Sequence, residues 1–125
     1  MPLVEISNGE LIDKLTILEI KMHRLTDAKD NAACVLDYNV LKEIAETLPI
    51  FQDKLLYYEL LNVNEELWDI EDSLRLKERY GEFDQEFTRL ARKVYQLNDK
   101  RSALKRKIDE MSHSKTREFK KYVSY

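Results

Sequence analysis

Leu11, Leu15, Leu18, Met22 and Leu25 recur at alternating spacings of four and three residues, which places their side chains on one stripe of an α-helix. Ile12, Ile17 and Ile20 widen that stripe, so this first helix is expected to touch more than one neighbour. Ser7-Asn8-Gly9-Glu10 reads as a capping box, Ser7 satisfying free amides and Glu10 reaching back to the cap. The helix should stop near Asp27. Asp30 can cap a second helix running to about Leu48, with Val35, Tyr38, Leu41, Ala45 and Leu48 on one face and Leu36, Val40 and Ile44 beside it. Pro49 ends it, because proline disfavours helix at the preceding residue.

A third helix is predicted from about Ile50 to Tyr80, with Leu56, Leu60, Val63, Leu67, Ile70 and Leu74 inside. Asn62 and Asn64 are a candidate break, and Gly81 is a left-handed stop. Asp84 can cap a fourth helix through about Met111, lined by Phe87, Leu90, Ala91, Val94, Leu97, Leu104, Ile108 and Met111. The link between the last two admits little but an antiparallel hairpin. The predicted fold is all-α: an antiparallel bundle of about four helices with a long C-terminal hairpin, the two shorter helices packing on it.

Composition sharpens this picture. Two Gly and two Pro in 125 residues are too few for the turns of an all-β fold. The length suits one domain over residues 1–125, with a basic, aromatic tail over 112–125. Cys34 stands alone, which excludes an internal disulfide and suits a reducing, cytoplasmic setting; it reads as a small buried residue. The first residues carry no signal-peptide pattern, and no apolar run approaches the ~20 residues needed to cross a bilayer.

The net charge of −3 hides a division. Residues 1–88 hold 9 Lys+Arg against 20 Asp+Glu, and residues 89–125 hold 12 against 4. The simplest expectation is that the basic last helix lies beside acidic ones. A basic surface for nucleic acid is the sharper alternative; the tail, which interleaves bases with aromatics, suits RNA or single-stranded DNA, but the favoured expectation for it is an arm that docks on the bundle or on a second subunit.

Two clusters could carry chemistry. Glu65, Glu66, Asp69 and Asp72 lie about one turn apart in overlapping pairs, and such carboxylates can hold Mg²⁺ or Mn²⁺. In this respect the chain resembles the small helical nucleotide pyrophosphohydrolases. Those place paired acidic motifs on two adjacent helices, and the second is missing here in the expected form, the fourth helix offering Asp99 and Asp109. The other cluster comes from helical phase. Asn98 and Arg101 fall on the stripe of Val94 and Leu104, and a hairpin turning near 82 brings them opposite Asn64 and Glu65. Such a polar layer is tolerated when its members pair, so Asn64, Glu65, Asn98 and Arg101 form either a register-fixing network or a ligand-facing group. The same register puts Glu71 and Asp72 near Arg92 and Lys93. His23 reads as a surface residue and Trp68 as packing. No triad, glycine-rich phosphate loop or zinc spacing is present in the sequence.

The segments 9–21, 67–72 and 91–101 resemble a family of small uncharacterised helical proteins of marine phages and bacteria. That resemblance implies a self-contained helical unit and no particular activity. Chorismate mutase is a weaker echo; it implies Arg24, Arg92 and Arg101 converging on a dicarboxylate. The leading expectation is a non-catalytic protein acting by self-association or with a protein partner, without cofactor or membrane. A Mg/Mn-dependent nucleotide hydrolase and a nucleic-acid binder are the alternatives.

Overall fold

A computed structural model of the chain describes residues 1–49 and 54–112. Four helices run in the order α1 (Asn8–Arg24), α2 (Ala28–Ala45), α3 (Lys54–Tyr80) and α4 (Gln85–Met111), with no strand among the described residues. The predicted all-α bundle with a long hairpin is what forms. The expected start of the third helix at Ile50 and the aromatic tail beyond Ser112 lie outside the described residues.

Short polar side chains set the boundaries. Ser7 Oγ accepts from the Glu10 N–H at 3.1 Å, and Asp84 caps α4 through the Phe87 N–H at 2.8 Å. The second helix starts earlier than Asp30, because Asp27 takes the cap and accepts from the Asp30 N–H at 2.9 Å. An aspartate one turn before its competitor gains the cap without shortening the helix. Gly81 closes α3 with φ 63°, a backbone region open to glycine at no steric cost. α3 is not broken at Asn62 or Asn64: Asn62 points to solvent, and the Asn64 side chain is consumed by tertiary hydrogen bonds rather than by its own backbone.

α3 and α4, 27 residues each, form the antiparallel hairpin, about 40 Å long at 1.5 Å per residue. α1 packs on both and also on α2, so it is the helix common to every layer. Leu11, Ile12, Leu15 and Ile20 are buried there with Leu56, Leu60, Val63 and Leu67 of α3 and Leu104 and Ile108 of α4. The second helix departs from expectation. It lies chiefly on α1 and meets the hairpin mainly through its C-terminal half, where Ala45 is buried and Tyr38, Leu41 and Leu48 are partly so. Cys34 is half-buried, not enclosed, for the same reason.

The α1 N-terminus and the α4 C-terminus touch at backbone distance. A Cβ built on Gly9 would lie 2.3 Å from the Lys105 carbonyl oxygen and 2.8 Å from Asp109 Oδ1. The Glu10 side chain, expected to fold back on the cap, instead pairs with Lys105 at 2.7 Å. A different first-turn amide is satisfied from α4: Asp109, fully buried, accepts at Oδ1 from the Gly9 N–H at 2.6 Å. A carboxylate there also meets the positive end of the α1 dipole. Gly9→Ala should therefore destabilise the protein by about 1–3 kcal/mol, the usual cost of overpacking a tight contact. Chemical denaturation with the wild type alongside measures it.

Candidate functional site

The most concentrated polar chemistry in the described structure sits where α1 crosses the hairpin. Asp13 follows Ile12 and precedes Leu15 on α1, and its side chain is carried inward with theirs to 1% exposure. A bare carboxylate at that depth would cost several kcal/mol, and two partners, from two other helices, offset the cost. Arg101 of α4 grips it with both prongs, Nε donating to Oδ1 at 2.9 Å and Nη2 to Oδ2 at 2.6 Å. Asn64 of α3 donates to Oδ1 at 2.9 Å and to Thr16 Oγ1 at 2.8 Å. Thr16, fully buried one turn beyond Asp13, donates in turn to the Asp13 carbonyl at 2.7 Å. No described buried side-chain nitrogen or oxygen lacks a hydrogen-bond partner.

Asn64 and Arg101 both bond Asp13, a residue that the hairpin register alone does not reveal. Glu65 and Asn98 are half-buried on the same two helices and do not join the hydrogen bonds just described. Asp13 and Thr16 were detectable in principle as two polar residues three apart within an apolar stretch. Asp109 carries the same signal, an acidic residue lying beside Ile108 in a helix otherwise mostly basic at its charged positions. Both Asp13 oxygens accept hydrogen bonds, from Asn64 and Arg101 on two other helices. The geometry is that of a clamp.

The acidic stretch of α3 is arranged differently. Asp69 pairs with Arg24 of α1 at 2.5 Å, and the guanidinium also lies over the Trp68 ring, 5.8 Å from its centroid. The Asp69 hydrogen bond raises the Arg24 pKa, with Glu65 and Asp72 adding smaller coulombic contributions. Glu66 faces the other way, 3.8 Å from Lys93 of α4. These four carboxylates surround cationic partners rather than a common point. Among the described residues, no group of three or more His, Cys, Asp or Glu is positioned to hold a metal ion. Lys93 reaches Glu66 and not the expected Glu71 or Asp72. Arg24 and Arg101, which the mutase echo would bring together, are each committed to a different aspartate.

The charge division is answered in part by these pairs. Lys93, Arg101 and Lys105 of the basic α4 meet Glu66, Asp13 and Glu10 of α3 and α1.

A third polar contact closes the α1–α2–α3 corner. The Tyr57 hydroxyl donates to Glu19 Oε2 at 2.5 Å, with Tyr38 of α2 nearby. Burial, then the bond to Glu19, push the phenol far above its ordinary range.

These features define a helical bundle whose central helix is clamped to its hairpin by buried carboxylates. Residues 2–124 match a family of unknown function (DUF6165), and the chain belongs to that family. No curated protein and no solved structure matches the chain.

Two measurements test this geometry. Removing Arg101 leaves Asp13 buried and short of its charge partner, so Arg101→Ala should cost roughly 3–5 kcal/mol. Asp13→Ala combined with Arg101→Ala should cost less than the two single losses added together, a non-additivity that denaturant unfolding of the four proteins would reveal. For Tyr57, the folded state favours the neutral phenol. The stability this contributes is complete below the unfolded tyrosine value of about 10 and is lost as pH rises above it. An alkaline absorbance titration of the folded protein should show no phenolate transition near that value that is removed by Tyr57→Phe.

Proposed function

We propose that this protein works by association, and first of all with a second copy of itself, through the outer face of α2 and the adjoining side of α1. One observation carries the reading. Leu36, Val40 and Ile44, one turn apart along α2, are 66%, 54% and 52% exposed. Val35 lies beside them, and no other described helix covers the row. Scattered apolar side chains are ordinary on a surface, but a continuous helical stripe is a packing face without a partner.

The magnitudes favour a concentration-dependent complex. Burying the exposed half of a Leu, Val or Ile is worth about 1 kcal/mol. Two copies of the stripe therefore gather roughly 6–8 kcal/mol, which is of the same order as the cost of holding two molecules together. A two-fold contact uses the same face twice, which suits a stripe lying along one helix.

Asp69 and Glu66 in the acidic stretch of α3 lie against Arg24 and Lys93, which favours this reading over the metal-dependent hydrolase, and α4 pairs Lys93, Arg101 and Lys105 within the molecule. Among the described residues no helix is long and apolar enough to cross a membrane. A single domain acting in the cytoplasm, in an organism such as the marine phages and bacteria of the resembling family, is the setting we propose for it.

Light scattering across a range of protein concentrations should show a mass rising from monomer toward dimer. Leu36→Asp with Ile44→Asp should hold the protein at the monomer mass while its circular dichroism spectrum is unchanged. A wild type that stays monomeric at hundreds of micromolar would sink the proposal.

A further inference from the structure

Between α1 and α2 lies an open groove of about 500 Å³, lined by Lys14, Ile17, Leu18, Lys21, Val40 and Leu41, with Asp37 at its edge. Its floor is apolar and two lysines of α1 stand along it. Val40 belongs both to this groove and to the exposed stripe, so the two are one continuous surface.

The segment ahead of α1 has the complementary character. Residues 1–6 form no regular secondary structure, and Leu3, Val4 and Ile6 are 96%, 80% and 40% exposed. With Met1 also exposed, four large apolar residues of six project into water, an unfavourable arrangement for an isolated molecule. Glu5 stands among them and is exposed as well. The segment does not lie in its own groove: both are open in the same molecule.

We infer that the groove between α1 and α2 receives the segment Leu3–Ile6 of a second copy, and that the exchange is reciprocal. This rests on the self-association proposed above and names what lies in the contact. Three observations support it. First, the lengths agree: Lys14 to Lys21 spans about 10 Å of helix, and three steps of extended chain from Leu3 to Ile6 cover about 10 Å. Second, the polarity agrees. In an extended chain Val4 and Ile6 face one side and Leu3 and Glu5 the other, so the apolar pair can meet Ile17, Leu18, Val40 and Leu41 while Glu5 stays at the rim beside Lys14 or Lys21. Third, the stripe alone barely offsets the cost of association, and a seated segment supplies further apolar contact. One segment and one groove per copy close into a two-fold dimer with nothing left over.

The experiment uses the full chain. In a Cys34→Ala background, a chain carrying Val4→Cys is mixed with a differently sized, tagged chain carrying Val40→Cys, and the mixture is oxidised mildly. A disulfide forms where the two Cβ atoms come within about 4.5 Å. The expected result is a covalent heterodimer in clear excess over either homodimer. Leu3→Asp with Val4→Asp should also raise the dimer dissociation constant at least tenfold while leaving the melting temperature at low concentration unchanged, since both residues are exposed. Two results would overturn the inference and leave self-association intact. One is a dimer that survives Leu3→Asp with Val4→Asp but is lost with Leu36→Asp and Ile44→Asp. The other is a chain carrying both cysteines that closes its disulfide within itself, at monomer mass. A wild type that is monomeric throughout would overturn this inference together with the reading it rests on.

Discussion

A carboxylate cannot be buried on an apolar helix face unless its charge is answered, and Asp13 is answered by two different helices at once. Arg101 and Asn64 converge on it from α4 and α3, so that α1 can occupy its place only in one rotation and at one height. A leucine at the same position would bury as well and specify less, since apolar contacts tolerate sliding and a bidentate pair does not. Asp109 repeats the device at the end of the helix, fixing the Gly9 amide where only a residue without Cβ can pass the α4 backbone. The two aspartates hold α1 against α4 from its first turn to its second, with the Glu10–Lys105 pair between them.

This clamp explains why α2 is left outside. α1 spends one flank on α3 and α4 and the other on α2. No second layer remains to cover the far side of α2, although its sequence supplies apolar residues for two faces. Ala45, Tyr38 and Leu41 use one of them; Leu36, Val40 and Ile44 are the surplus. The apolar surplus and the buried polar clamp therefore have one origin, a central helix that gives one flank to the hairpin and the other to the inner face of α2.

The helices themselves were legible because each obeys its period and carries its own punctuation: Asp84 before α4, Gly81 after α3, the Leu11–Leu25 stripe along α1. The polar layer was half legible. Asn98 and Arg101 broke the phase of an apolar stripe, which flagged the α3–α4 side, and the hairpin register found Asn64. It could not find Asp13, because the rotation of α1 over the hairpin is a tertiary fact with no local signature. The same gap let Glu65 and Asn98 be grouped with residues whose side chains turn elsewhere. The capping box at Ser7 misled in part for a related reason: Glu10 had a better partner in Lys105, 95 residues away in sequence and close in space. The two-faced pattern of α2 was plain to read, whereas which face would be covered depended on how much of α1 the hairpin had already taken.

Because α2 is held mainly through α1, the clamp and the exposed face are mechanically connected even though they share no residue. The groove has one wall on each of these helices, Ile17 and Leu18 opposite Val40 and Leu41. Its width is set by how α1 and α2 lie together. The Tyr57–Glu19 bond ties α1 to α3 at the corner where Tyr38 of α2 also arrives. A surface that binds by shape needs a rigid support, and here the support is the set of buried polar contacts that hold α1 still.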